Sequence, residues 1–281
     1  MQQRYLALCL RHKRPAVTKF ANSAGMHMAA VDERTTPHGR KAHLLPVQRF
    51  LQPDDVTCGP TCLRKVYDFY GLDVEAERVL TEIDRNEDGG TLGVFLGVSA
   101  LARGFGARIY SYNLRIFDPT WAGLSRAELA EKLRARLHYL SHPKATRAGR
   151  AYLQFVESGG ELCFDELNPA LLKRILDRDH PVLVGLSATY LYGMARERFD
   201  EINDVLVDDD IGGDPIGHFL VVAGYEQWGR RFLLLDPHPH SPHPATGPME
   251  VDAQRLVNSI LLGDLTYDAV LLELWPGESR A

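Results

Sequence analysis

The chain has 281 residues, of which 45% are apolar and 25% charged, and its formal net charge is -5 at pH 7. These values are typical of a globular protein that is long enough to bury a core without disulfides or a structural metal. The negative charge argues against a nucleic-acid partner held mainly by electrostatic attraction, which requires a basic face. No stretch is long and apolar enough to predict a membrane span.

The number and spacing of the cysteines argue against two further kinds of site. The four cysteines are too few, in so long a chain, to predict a disulfide framework. Cys58 and Cys62 lie one helical turn apart, but no second cysteine pair or well-spaced histidine pair completes a zinc site. Reduced thiols are typical of the cytoplasm. The N-terminus also lacks the pattern of a secretory signal, so we expect a cytoplasmic protein.

The domain organisation predicted from the sequence is simple. Residues 1–40 lack hydrophobic periodicity, which indicates a weakly ordered N-terminal extension. Residues 41–281 are predicted to form a single domain, with a helical insertion at about 113–180.

The first half of this domain predicts mainly helices. Partial alternation over residues 43–50 indicates an edge strand before the first helix. Gly71 favours the end of that helix, Thr91 is a predicted cap of the third, and Ser125 with Glu128 forms a capping-box pattern. A strand is predicted at 107–112, and helices are predicted at residues 59–70, 74–82, 92–103, 125–140, 145–157 and 168–177.

The second half predicts mainly strands. A continuous apolar run at residues 181–186 is typical of a buried strand. Three more strands are predicted at 218–225, 231–236 and 267–274, with a helix at about 252–262. Helices first and clustered strands later indicate an α+β fold, in which an N-terminal helical part packs against a C-terminal antiparallel sheet.

Cys58 is the candidate nucleophile. A thiol attacks only as the thiolate, and the positive end of a helix dipole favours that form when the cysteine begins the helix. Gln52 precedes it by six residues, and its amide together with the Cys58 backbone N–H is suited to stabilise a developing oxyanion. Gly59 is predicted to allow close approach of the backbone to a substrate.

His218 and Asp236 are the candidates for a base and for the group that orients it. His218 stands at the start of one apolar strand, and Asp236 ends the next. If the two strands pair as an antiparallel hairpin, both residues lie at the same end of the sheet. The carboxylate would then accept the imidazole N–H and fix its tautomer.

These motifs resemble those of the papain-like cysteine peptidases. The likeness rests on Gln52, on Cys58 followed by Gly59 and Pro60, on His218 within Gly-His-Phe, and on Asp236 before a proline. It is strongest to the bacteriocin-processing peptidases, which cut after double-glycine leaders, and to their stand-alone relatives. The resemblance covers about residues 45–274. We expect a stand-alone member, because the chain contains no transporter.

The resemblance implies a thiol hydrolase that acts on a peptide or amide and requires no cofactor and no metal. Cys58 would be the nucleophile, His218 the base, Asp236 its orienting group and Gln52 the oxyanion donor. Two alternatives remain open. The same thioester chemistry would serve an acyltransferase, and a papain-like domain can also be retained for peptide binding without catalysis.

Each of these residues also has a structural interpretation. Cys58 and His218 are of types that are often buried for packing alone, Asp-Pro is an ordinary strand-ending turn, and a loop glutamine usually faces water. We interpret Cys62 as a core residue.

Two further clusters have alternatives as well. The histidines after Asp236 invite a metal site, but the prolines between them predict an extended loop; they are His238, His240 and His243. The acidic segment 196–215 has little pattern, and we expect a solvated lid before His218 in preference to a calcium or basic-peptide site.

Overall fold

The structure is a computed structural model that describes residues 42–86, 89–203, 205–226, 228–239, 241, 247–263 and 269–277. The predicted extension, residues 1–40, lies outside the described residues, as do His240 and His243. Helices pack on both faces of one large sheet, and the α+β class predicted from the sequence is confirmed.

The helices of the described residues follow the predicted order. Gly71, which has a φ of +78°, lies just after the end of the first helix, and the capping box of Ser125 with Glu128 is present. The predicted capping role of Thr91 is wrong, because its hydroxyl donates to the Asp84 carbonyl at 3.0 Å. No helix of this part of the chain has both the length and the apolar character that a membrane crossing requires. The helices are α1 Cys58–Phe69, α2 Ala76–Glu82, α3 Gly93–Ala102, α4 Arg126–Leu137, α5 Pro143–Glu157, α6 Pro169–Leu176, α7 Ala188–Tyr192 and α8 Ala253–Leu261.

The strands form one eight-stranded sheet and one separate hairpin. The strands are β1 Ala42–Leu44, β2 Phe105–Ser111, β3 Glu161–Cys163, β4 Val182–Ser187, β5 Glu197–Asp200, β6 Val205–Asp208, β7 Gly217–Glu226, β8 Arg231–Leu235, β9 Met249–Asp252 and β10 Val270–Pro276. The large sheet has the order β3-β2-β10-β4-β7-β8-β9, with β1 paired to the far end of β7. Its pairs are antiparallel except β2 with β3.

Several short elements were not predicted. The acidic segment, predicted to lack pattern, contains the β5–β6 hairpin, and the predicted strand at 43–50 ends at Leu44. Strands β3 and β9 and helix α7 are also new. All of them are five residues or fewer. Such segments are too short for hydrophobic periodicity to reveal them, and pairing with neighbours stabilises them instead.

Strand β7 separates two cores. Phe219, Val221 and Ala223 face a core shared with α1, α3 and α5, whereas Leu220 and Val222 face a second core that contains α6 and α8. This alternation is the period of two expected for a strand buried on both faces.

Helix α1 packs directly on β7. Cys62, which is fully buried, donates its thiol hydrogen to the Phe219 carbonyl at 3.4 Å. Its assignment to the core is confirmed.

Gly59 has a packing role that differs from the predicted one. A Cβ at this position would lie 2.4 Å from Cγ2 of Thr91 and 3.2 Å from the Phe219 ring. The glycine therefore allows the first turn of α1 to approach these two side chains. That it also lets the backbone approach a substrate closely stays a prediction.

Candidate active site

His218 and Asp236 meet at one end of the sheet. Strands β7 and β8 pair antiparallel with Val221 opposite Leu235, so His218 and Asp236 extend from the same end of this pair. His218 Nε2 lies 2.9 Å from Asp236 Oδ1. Only 10% of the histidine side chain and 6% of the aspartate side chain are exposed, so the pair is largely shielded from water.

Three donors surround the Asp236 carboxylate. Besides His218, the backbone N–H of His238 donates to Oδ1 at 2.8 Å, and the Tyr192 hydroxyl donates to Oδ2. Burial by itself would raise the pKa of Asp236, but these hydrogen bonds and the charge of His218 hold it well below its ordinary value. The carboxylate is therefore ionised.

Cys58 lies against the same imidazole. It is the first residue of α1, is half-buried and lies close enough to His218 to raise the pKa of the imidazole. Because Nε2 of the ring bonds Asp236, Nδ1 is the nitrogen left for the sulfur. Burial lowers the pKa of His218, but the hydrogen bonds and charges of Asp236 and Cys58 outweigh it and raise the pKa to about 9. At neutral pH the imidazole is thus protonated.

The other described cysteines lie in different surroundings. Burial raises the pKa of Cys62 to about 12 and that of Cys163 to about 11. Both remain thiols at neutral pH, and a thiol is a poor nucleophile. Cys58 is the one described cysteine that stands at the first position of a helix and beside His218.

The loop before Cys58 is organised by Asp54. Its carboxylate Oδ1 accepts the Val56 N–H at 3.0 Å, which closes an Asx turn. Its backbone carbonyl accepts Gln52 Nε2 at 2.7 Å and the Thr57 hydroxyl at 3.3 Å. Gln52 and the residue next to Cys58 are therefore held by one carbonyl.

Gln52 is buried, with 5% exposure, so it does not face water as a typical loop glutamine would. Its amide orientation is fixed, because exchanging Nε2 and Oε1 would set two acceptor oxygens against each other at Asp54. One Nε2 hydrogen is used there and the second is free to donate elsewhere. Oε1 is buried and has no hydrogen-bond partner among the described residues.

This loop is fastened to the turn that carries Asp236. The Gln52 backbone N–H donates to the Pro237 carbonyl at 2.8 Å, and His238 Nε2 lies 3.8 Å from Asp55 Oδ1. All four residues predicted from the sequence therefore belong to one connected assembly.

Tyr192 belongs to the site but was missed in the sequence. Helix α7 begins directly after β4, where the Ser187 hydroxyl accepts the Tyr190 N–H at 3.3 Å. Because Ser187 pairs with Gly217 of β7, α7 starts at the end of the sheet that holds His218. The only signal in the sequence is a tyrosine shortly after a buried strand, which is too common to single out.

Two clusters remain from the sequence, the histidines after Asp236 and the acidic segment 196–215. No group of three or more histidine, cysteine, aspartate or glutamate side chains within the described ranges is placed to hold a metal ion. In the β5–β6 hairpin, burial and repulsion from Asp208 and from Asp55 of the Cys58 loop raise the pKa of Glu197. That the hairpin covers the cleft stays a prediction.

We expect Tyr192→Phe to lower the free energy of unfolding by about 1.5–3 kcal/mol, the usual contribution of a hydrogen bond to a charged group. The measurement is urea unfolding at pH 7. Tyr139→Phe is the matched control, since the Tyr139 side chain is 78% exposed. Equal stability of the two variants would contradict the assigned contact.

No family model matches the sequence, and no curated protein matches it. Solved structures do match. One is a double-glycine motif protease from an AMS/PCAT transporter in complex with the leader peptide, at 14% identity and a TM-score of 0.38, covering 83% of this chain and 94% of that one. A second is a C39-like peptidase from Bacillus anthracis, at 15% identity and a TM-score of 0.41, covering 84% and 98%.

A third is the peptidase domain of Streptococcus ComA, a bifunctional ABC transporter of a quorum-sensing pathway. It matches at 15% identity and a TM-score of 0.39, covering 82% of this chain and 98% of that one. The matching structures are of the kind that the sequence motifs resemble. At these identities and TM-scores the similarity does not bear on activity.

Proposed function

We propose that the protein is a cysteine-dependent hydrolase that cleaves a peptide or amide bond. One observation carries this proposal: the protonated His218 lies between the buried Asp236 carboxylate and the Cys58 thiol at the N-terminus of α1. The arrangement has the geometry of an activated nucleophile with an oriented base. It supports catalysis over a role in peptide binding alone, which would not need this buried charge pair.

In the first half-reaction, the Cys58 thiolate attacks the substrate carbonyl carbon and forms a tetrahedral intermediate. Collapse of the intermediate breaks the C–N bond, and the His218 imidazolium gives its proton to the leaving amine. The product is a thioester on Cys58. Asp236 stabilises the imidazolium before transfer and keeps the ring oriented throughout.

In the second half-reaction, neutral His218 takes a proton from water, and the resulting hydroxide attacks the thioester. The acid product leaves, and Cys58 and His218 return to the thiolate–imidazolium pair. Both tetrahedral intermediates carry an oxyanion. The free hydrogen of Gln52 Nε2 and the Cys58 backbone N–H are the donors that we assign to it.

The cytoplasm is the proposed location, because the described cysteines are free thiols. The helical insertion and the acidic hairpin lie outside the catalytic residues. We propose that they govern which peptide or amide is accepted.

The direct test is iodoacetamide labelling at pH 7 with peptide mapping by mass spectrometry. We expect Cys58 to be alkylated at least tenfold faster than Cys163, whose raised pKa makes it an internal control. Hydrolysis of a fluorogenic peptidyl-amide library is expected to vanish in Cys58→Ala. Hydrolysis that survives this change would overturn the proposal. Addition of an amine acceptor to an active reaction separates hydrolysis from acyl transfer by the products.

The proposal predicts an upper pH limit for turnover. Since the imidazolium supplies the proton for the leaving amine, kcat/KM for an accepted peptidyl-amide is expected to fall as the pH rises through about 9, the pKa of His218. Alkylation of Cys58 needs only the thiolate, so its rate should not fall as the pH rises through 9. Loss of both reactions above pH 9 would point to unfolding and not to titration of the histidine.

For the oxyanion donor, we expect Gln52→Ala to lower kcat about 10²- to 10³-fold with little change in KM. Thr57→Val is the control, since it removes the other side-chain hydrogen bond to the Asp54 carbonyl and keeps its shape. The control should lose less than tenfold. Equal losses in both variants would show that the loop geometry matters and that the Gln52 amide does not.

A further inference from the structure

Lys65 is a buried cation next to the site that the proposed mechanism does not use. It lies on α1 seven residues after Cys58, on the helical face that also carries Cys62. Its side chain has no exposed area, and it is among the largest fully buried side chains of the described residues. A lysine is seldom fully buried unless it is paired.

The hydrogen bonds of Lys65 do not account for its burial. An ammonium has three hydrogens to donate, whereas the one hydrogen-bond partner of Nζ among the described residues is the Leu235 carbonyl, at a long 3.5 Å. Normal N–H···O bonds are about 2.7–3.2 Å. The carbonyl belongs to the residue directly before Asp236, so the contact joins α1 to the end of β8.

Charged groups offset part of the cost of burying the Lys65 ammonium. Burial lowers the pKa of Lys65, while Cys62 and Cys58 on its own helix and Asp236 on β8 favour its ammonium form. Arg49, in the segment before Gln52, opposes it. Cys62 keeps its proton, so Asp236 is the anionic partner, and Cys58 joins it as the thiolate of the proposed mechanism.

Lys65 offsets a net charge of the site. In the proposed mechanism the Cys58 thiolate and the Asp236 carboxylate are negative and the His218 imidazolium is positive, which leaves one net negative charge in a region shielded from water. An unbalanced charge is unfavourable in such surroundings. The Lys65 ammonium is a fully buried cation that offsets this charge, and Arg49 adds positive charge from the segment before Gln52.

We propose that Lys65 is a positioning residue of this site, whose buried ammonium stabilises the anionic Cys58 and Asp236 and ties the end of β8 to the helix that carries the nucleophile. The proposal rests on the proposed function. An apolar side chain would serve the packing of α1 better, because buried charges are often replaced by apolar residues without loss of stability.

The test is Lys65→Met, which keeps the length of the side chain and removes the charge. We expect the pH midpoint of Cys58 alkylation by iodoacetamide to rise by about one unit. The rate below the wild-type midpoint is then about tenfold lower. The urea midpoint of unfolding is expected to stay equal or to rise, a combination that a merely structural role would not produce.

Val66→Ala is the packing control, since Val66 is the fully buried neighbour of Lys65 on α1. It should lower stability and leave the alkylation midpoint unchanged. A midpoint in Lys65→Met that coincides with wild type would overturn the proposal.

A second measurement needs no variant. In wild-type protein carrying 13Cε-labelled lysine, alkylation of Cys58 removes the thiolate charge, so the titration midpoint of Lys65 should fall. An unchanged Lys65 titration would overturn the proposal even if Lys65→Met did not fold.

Different results would contradict the hydrolase proposal and the proposed role of Lys65. If wild-type Cys58 reacts no faster than Cys163, the hydrolase proposal fails, and the role of Lys65 fails with it. If wild-type Cys58 is reactive but neither Lys65 measurement responds, only the role of Lys65 is lost.

Discussion

The site depends on the hydrogen bond between His218 Nε2 and Asp236 Oδ1, which the antiparallel pairing of β7 and β8 makes possible. The two residues are 18 positions apart in the chain, yet the pairing delivers them to the same end of the sheet. Both side chains are largely shielded from water, so the attraction between them is weakly screened. The hydrogen bond and the attraction between the two charges outweigh the cost of burial, so the aspartate stays ionised and the pKa of the histidine is raised.

Helix α1, helix α7 and the loop before α1 meet at this end of the sheet, and each positions the site through a different kind of contact. Helix α1 approaches from one layer, and its first turn fits closely because Gly59 has no side chain. Helix α7 follows β4 and supplies the Tyr192 hydroxyl to Asp236. The loop before α1 is tied to the turn after β8 by Gln52 and Pro237. The geometry of the thiol, the imidazole and the carboxylate is therefore set by packing on both faces of β7 and β8, not by one rigid segment.

The ionisable groups of the site lie close together, because a charged group that is buried alone is unfavourable. An imidazolium, a carboxylate and an ammonium are each unfavourable alone in an apolar interior, and opposite charges close together offset that cost. For Cys62 and Cys163 burial outweighs the attraction of the nearby cations, Lys65 and Arg108, and keeps both thiols protonated. Cys58 differs from Cys62 in being half-buried and in standing at the first position of α1.

The sequence by itself determined the long elements and the candidate residues. Apolar periodicity and turn residues were sufficient for α1, for the Ser125 helix, and for the strands that carry His218 and Asp236. These signals are local, since they depend on which face each residue presents to a core. The short strands, helix α7 and the β5–β6 hairpin have no such signal, because their stability comes from partners distant in the chain. For the same reason only the tertiary structure revealed Tyr192 and Lys65 as neighbours of Asp236 and Cys58. Hydrogen bonding and burial of charge depend on distances in space, which the order of residues does not contain.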